Sequence, residues 1–190
     1  MIDNSIRQLA ETNLRKRIES LCDLKLSEPI QREFSLQSIC DSKAGHEAKV
    51  WLENSLGDRV KGRFIYCLSG SSNEVAEKLY DKFEKKSSEK KSVRGYALPR
   101  NNKNKIGADV GTCLYVGSSK NIRSRLKQHL CRAPRDTYGL NMKHWVPNIF
   151  GSVVVEVQCF IGESSDASVQ DIEDALWRCR QPMFGKMGGT

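Results

Sequence analysis

The stretch from Cys113 to Leu130, CLYVGSSKNIRSRLKQHL, constrains the chain more than any other part of it. An apolar run of strand character ends at a glycine, and a basic helical segment follows at once. On a helical wheel, Ile122, Leu126 and Leu130 share one face at the i, i+4, i+8 spacing. Arg125 and His129 fall inside the same arc, whereas Arg123, Ser124, Lys127 and Gln128 point away. A helix that only packs would turn its cation and its imidazole outward, because an unpaired buried charge is costly. This strand–turn–helix unit is therefore expected to build a site as well as a core.

Two further strands are expected. RFIYCLSG, residues 63–70, alternates Phe64, Tyr66 and Leu68 against Ile65 and Cys67, and SVVVEVQCF, residues 152–160, is β-branched and alternating. Between the first strand and TCLYVG lies a polar insertion at about 71–110. Its first half carries Val75, Leu79 and Phe83 at the spacing of a short amphipathic helix, and its Lys-, Ser-, Asn- and Gly-rich second half reads as a mobile loop. A closing helix runs through SSDASVQDIEDALWRCRQP, with Ser165 or Ser168 as N-cap and Pro182 ending it. Residues 1–60 show near-helical spacing at Ile6, Leu9, Leu14, Ile18 and Leu21, a break at Pro29, and a second helix from about Ser42 to Leu56 stopped at Gly57. The fold expected is α+β: three short strands flanked by helices over residues 61–190, preceded by a helical appendage over 1–60. The appendage is expected to pack or to form a homodimer, with a DNA-contacting arm as the alternative.

Thirty-one Lys and Arg against 23 Asp and Glu leave a net charge of +8, which suits a polyanionic partner. The seven cysteines are scattered without a CxxC pair, so neither a zinc ribbon nor a disulfide framework is expected. No apolar run approaches the roughly 20 residues needed to span a bilayer, and the N-terminus lacks the apolar stretch of a signal peptide. A cytoplasmic protein without membrane contact is the expectation.

The closing helix repeats the oddity of the first. Val169, Ile172, Leu176 and Trp177 form an apolar arc, and Glu173 projects within it while Asp171 and Asp174 lie outside. Arg125 and Glu173 could form a structural ion pair. The alternative is one active site, in which a lone carboxylate anchors a hydrated hard cation. Arginine would then stabilise phosphoryl charge, and histidine and tyrosine would move protons or position a water. Those are the parts of metal-assisted phosphodiester hydrolysis.

FIY at 64–66, YVG at 115–117, Arg125 ten residues after Tyr115, His129 four beyond it, and IEDALWRCRQPMF together resemble the GIY-YIG nucleases. YVGSSKNIRSRL is similar to the nuclease domain of bacterial excision-repair incision enzymes, whereas His129 resembles the phage homing endonucleases and the restriction enzymes of the family. The resemblance covers about residues 62–186. It implies a small three-stranded antiparallel sheet and DNA hydrolysis with one divalent metal, Mg2+ or Mn2+. It places Tyr66 and Tyr115 side by side near the scissile phosphate, with one of them or His129 activating the water. Arg125 would meet the phosphate, Glu173 would hold the metal, and Gly117 would permit the tight turn into the helix. The chain departs from the family pattern at Phe64, where glycine is usual, and at Ser118, where repair enzymes often carry lysine. It also offers Gly185 and Lys186 where an asparagine often stands. The 49 residues from Tyr66 to Tyr115 exceed the dozen of compact members and favour the restriction-type branch.

Between Ser118 and Trp145 there are seven Lys or Arg and one Asp. Lys120, Arg123, Lys127, Arg132, Arg135, Tyr138, Lys143 and His144 are the candidate DNA contacts, with core packing as the alternative for Tyr138 and Trp145. A stand-alone restriction or defence endonuclease is the leading expectation. A repair or recombination nuclease acting on damaged or branched DNA, and a disabled nucleic-acid-binding protein, are the alternatives.

Overall fold

The computed structural model describes residues 4–89, 97–102, 111–134, 137–146 and 150–188. Helix α1 (Asn4–Cys22) leads into strands β1 (Lys25–Leu26) and β2 (Ile30–Ser35), then helices α2 (Leu36–Cys40) and α3 (Ala44–Leu56). Strand β3 (Phe64–Gly70), helix α4 (Asn73–Glu89), strand β4 (Cys113–Ser119) and helix α5 (Ile122–Leu130) follow. Strand β5 (Ser152–Ile161) and helix α6 (Asp166–Arg180) complete the order.

The three strands expected from the sequence form an antiparallel unit with β3 in the middle, hydrogen-bonded to β4 on one side and β5 on the other. The sheet is wider than expected, because β1 and β2 both pair antiparallel with β5. Pro29, which has no N–H to give, falls between the two short strands. Ser27 mends the ladder there: its N–H donates to the Cys159 carbonyl at 2.9 Å, and its hydroxyl accepts from the Cys159 N–H at 3.0 Å. Strand residues were hidden in this segment by its polar composition.

Phe64, Tyr66 and Leu68 face α3, α4 and α5, where Leu52, Leu79, Phe83, Ile122, Leu126 and Leu130 close one core. On the other face Ile65, Cys67 and Val116 meet Val169, Ile172, Leu176 and Trp177 of α6. Residues 1–60 divide accordingly. Helix α1 buries no residue and is tied to α6 by Arg17, whose Nε and Nη2 donate to Asp171 at 2.6 and 2.5 Å. Leu36, Ile39, Ala48, Leu52 and Leu56 instead belong to the main core, so α2 and α3 are built into it rather than appended. Helix α3 ends where expected, at Gly57 with φ of 53°.

The free edge of β4 is covered from the C-terminus: Met183 and Phe184 donate to the carbonyls of Cys113 and Leu114 at 3.0 and 2.9 Å. Residues 97–102, expected within a mobile loop, are stitched onto that segment. Gly185 donates to the Arg100 carbonyl, and the Asn102 side chain donates to the Pro182 carbonyl at 2.9 Å. The remainder of that expected loop, 90–96 and 103–109, lies outside the described residues. All seven cysteines are free thiols, and among the described residues no helix is long and apolar enough to cross a membrane.

Candidate active site

Tyr66 projects from the middle of β3, directly opposite Gly117 of β4. Tyr115, paired with Leu68 two residues from Gly117, reaches the same side by simple alternation, and an irregularity in β4 adjoins it. The register passes from Leu68↔Tyr115 to Ser69↔Cys113, leaving Leu114 as the extra residue of a bulge. Simple alternation would send Leu114 and Tyr115 to opposite faces; with the bulge both pack against the α5 side. The two phenol rings lie near-parallel, with centroids 6.2 Å apart and planes 15° from each other.

Helix α5 is started by Asn121, whose side chain accepts from the Ser124 N–H at 3.1 Å. One turn in, the Arg125 guanidinium binds both phenols: Nε donates to the Tyr66 hydroxyl at 3.0 Å and Nη2 to the Tyr115 hydroxyl at 3.1 Å. Nη1 is shared between Gln128 Oε1 at 3.0 Å and the Tyr138 carbonyl at 2.9 Å. One turn further, His129 is fully buried, with 0% exposure, and its Nε2 lies 3.0 Å from the Tyr66 hydroxyl. Its Nδ1 accepts from the Leu140 N–H at 3.2 Å. That acceptor role puts the proton of the neutral ring on Nε2, which therefore donates to Tyr66. Burial, and secondarily the charge of Arg125, hold the imidazole well below its ordinary pKa, so the ring is neutral. Tyr66 is 1% exposed, and burial pushes its phenol up although Arg125 opposes this, so it is protonated at rest.

These contacts revise two expectations. His129 has no free nitrogen and no access to solvent, so in this arrangement it orients Tyr66 and does not meet a water itself. Gly117 is not a turn residue: it lies within β4, and its backbone does not enter the left-handed region. A Cβ there would stand 2.5 Å from the Tyr66 hydroxyl and 3.0 Å from Tyr115 Cε1, so glycine is required for the two rings to cross above the strand.

Glu173 comes from α6 on the far face and meets the site at the end of β4, where the Ser118 hydroxyl donates to its Oε2 at 2.6 Å. Burial raises its carboxyl pKa, and the Ser118 hydrogen bond and the charge of Arg125 oppose the rise. Among the described residues Arg125 and Glu173 do not form an ion pair, which removes the structural-pair alternative. No three of His, Cys, Asp and Glu gather as a metal cluster among the described residues. The donor set at this place is a single half-buried carboxylate, chemistry that fits a hard cation retaining most of its waters.

The site depends on residues that sequence reasoning passed over. Asn141, fully buried and in the left-handed region at φ 52°, accepts from the Ala133 N–H at 2.7 Å. Its Nδ2 donates to the carbonyls of Gly139 and Ala97, each at 2.9 Å. Asn141 thereby folds the loop whose backbone gives Leu140 N–H to His129 and the Tyr138 carbonyl to Arg125. An asparagine after glycine in YGLN was the available signal, since asparagine tolerates positive φ.

The candidate DNA contacts separate. Lys120 is paired with Asp166 at 3.1 Å, which also takes Arg63 at 2.5 Å. Arg123, Lys127, Arg132, Lys143 and His144 line one hollow between α3 and α5. Tyr138 is 65% exposed, and its carbonyl accepts from Arg125. Trp145 is core: its ring packs edge-on against Phe83, and its Nε1 donates to the Leu140 carbonyl at 2.6 Å. Arg135 lies outside the described residues.

Residues 100–176 match the family model of the GIY-YIG catalytic domain. The matched segment holds Tyr115, Arg125, His129 and Glu173, whereas Tyr66 reaches the same cluster from β3, before the match begins. No curated protein and no solved structure matches the chain.

Proposed function

We propose that this chain, which matches the GIY-YIG catalytic domain over residues 100–176, is a metal-dependent DNA endonuclease of the restriction or defence type. The observation that supports this best is the guanidinium of Arg125 held on two phenols, with Glu173 facing the same edge of the sheet. An arginine fixed by neutral partners keeps its charge available for a phosphate, and it needs no reorganisation as negative charge grows. Tyr115 is the more exposed phenol and is the group placed to hold or take a proton from an attacking water. Tyr66, gripped by Arg125 and His129, sets the position of that arginine. Glu173 would hold one hydrated Mg2+ or Mn2+, which supplies Lewis-acid stabilisation of the phosphodiester.

The test is incubation of purified protein with supercoiled plasmid and magnesium or manganese, alongside Arg125→Ala. Nicked or linear products with the unsubstituted protein, in discrete bands and at a rate 10²–10³-fold above the variant, are expected. Intact plasmid under both metals, or cleavage at equal rates by both proteins, would sink the reading.

A further inference from the structure

We propose that the hollow between α3 and α5 is a second phosphate-binding surface, which grips duplex DNA flanking the cut; this rests on the nuclease reading above. The hollow encloses about 800 Å³ and brings Lys49 and His46 of α3 together with Arg123, Lys127, Arg132 and Lys143. Lys49, Lys127, Arg132 and Lys143 are all exposed and, among the described residues, form no ion pair. Among the described residues, of the Lys and Arg side chains here only Arg123 has a carboxylate, Glu53, at 3.3 Å. Crowded like charges repel one another, and a polyanion relieves that repulsion. The hollow at the N-terminal end of α6 differs, for there Arg63 and Lys120 both spend their charge on Asp166.

The placement relative to the candidate active site fits one continuous substrate. Arg125 donates to Gln128, and Gln128 donates to the hydroxyl of Ser124, which lines the hollow. The cationic hollow and the tyrosine cluster thus lie on two sides of the same helix, joined across its exposed ridge. A helix with its side chains is ~10–12 Å wide. Phosphates follow one another every ~3.4 Å along each strand of DNA, so the hollow would meet phosphates roughly three removed from the scissile one. A third of the lining residues, Ser42, Gly45, His46 and Lys49, come from the N-terminal segment.

The experiment measures duplex affinity by fluorescence anisotropy, with EDTA present to prevent cleavage, over a salt series. Lys49→Gln/Lys127→Gln is compared with Arg7→Gln/Lys16→Gln on α1, which packs by α6 on the other face of the sheet. Both double variants lower the net charge by two, and thermal melts accompany both. The groove variant should lose about two units of slope in log affinity against log salt, near 0.9 per released phosphate contact. The α1 variant should keep the slope of the unsubstituted protein. Equal slope loss in both variants, or none in the groove variant, overturns the proposal. Binding with the expected slopes but without any cleavage in magnesium would leave the groove standing and sink the nuclease reading alone. Failure of the unsubstituted chain to bind duplex would overturn both.

Discussion

Gly117 and Tyr66 stand opposite each other across β3 and β4, so close that a Cβ at residue 117 would lie 2.5 Å from the Tyr66 hydroxyl. The phenol cannot swing aside, because Arg125 and His129 hold its oxygen from the other side at 3.0 Å each. Gly117→Ala must therefore move the tyrosines or the strand. Overpacking of this kind costs about 1–3 kcal/mol, and a chain of this size melts about 2–4 °C lower for each kcal/mol. Misplacing a catalytic group by ~1 Å costs about 10²-fold in rate. Melting and plasmid cleavage on one preparation check both effects; an unchanged melting point with full activity would mean the rings do not cross above residue 117.

Arg125 and His129 are one helical turn apart and should respond differently to truncation. Arg125→Ala removes a cation held by neutral partners and strands no opposite charge, so it should lower the rate while leaving the melt within a few degrees. Arg125→Lys should not restore the rate, because one ammonium cannot reproduce the guanidinium fork on two phenols. His129→Ala empties a fully buried position and leaves the Leu140 N–H without its acceptor, a loss of ~1–3 kcal/mol before any cavity is counted. It should both melt early and cut slowly. A His129→Ala protein as stable as its parent would show that the imidazole is not part of the core.

The neutral state of His129 also sets a direction for pH dependence. Its pKa in the fold lies well below the ordinary value of 6.5, because burial and the charge of Arg125 disfavour the imidazolium. The unfolded chain therefore takes up this proton first as the solution is acidified. Stability should be level above pH ~6.5 and fall as the pH drops from there towards the lowered pKa of the folded state. His129→Gln, an uncharged replacement, should flatten that limb of the stability curve. A curve of unchanged slope in the variant would assign acid sensitivity to other groups.

Much of this arrangement was legible before any coordinates. Periodicity located β3, β4, β5, α5 and α6, since each carries a long alternating or helical pattern. The inward polar groups Arg125, His129 and Glu173 were visible because they break such patterns. The bulge at Leu114 was not, because one unpaired residue changes the facing of a strand without altering its composition. Strands β1 and β2 were missed for a related reason: QREF and its neighbours carry charged residues on an edge strand whose outward face is solvated. The Leu140 N–H and the Tyr138 carbonyl are main-chain groups, which any side chain would supply. Only the fold of the loop around Asn141 makes them specific.

Glu173 provides the last outcome. Burial raises its pKa above the ordinary carboxylate value of 4.5, against the opposing hydrogen bond from Ser118. The folded protein thus holds that proton more tightly than the unfolded chain. The stability this gives is present below the unfolded pKa and is lost as pH rises through the folded one. Near neutral pH, without metal, the charged carboxylate is consequently a cost to the fold. Glu173→Gln keeps an acceptor for Ser118 and removes the charge, so in EDTA at pH 7.5 (on the order of three units above the reference carboxylate) it should melt higher than the parent. Lowering the pH towards the titration of Glu173 should close that gap. Saturating magnesium should raise the parent by the linkage of a ligand that binds only the folded state, and should leave the variant unmoved. Cleavage by the variant should be abolished while its affinity for duplex is retained, since the cations that meet phosphate are elsewhere. An identical magnesium response in the two proteins, or residual cutting near the parent rate, would remove the metal from Glu173.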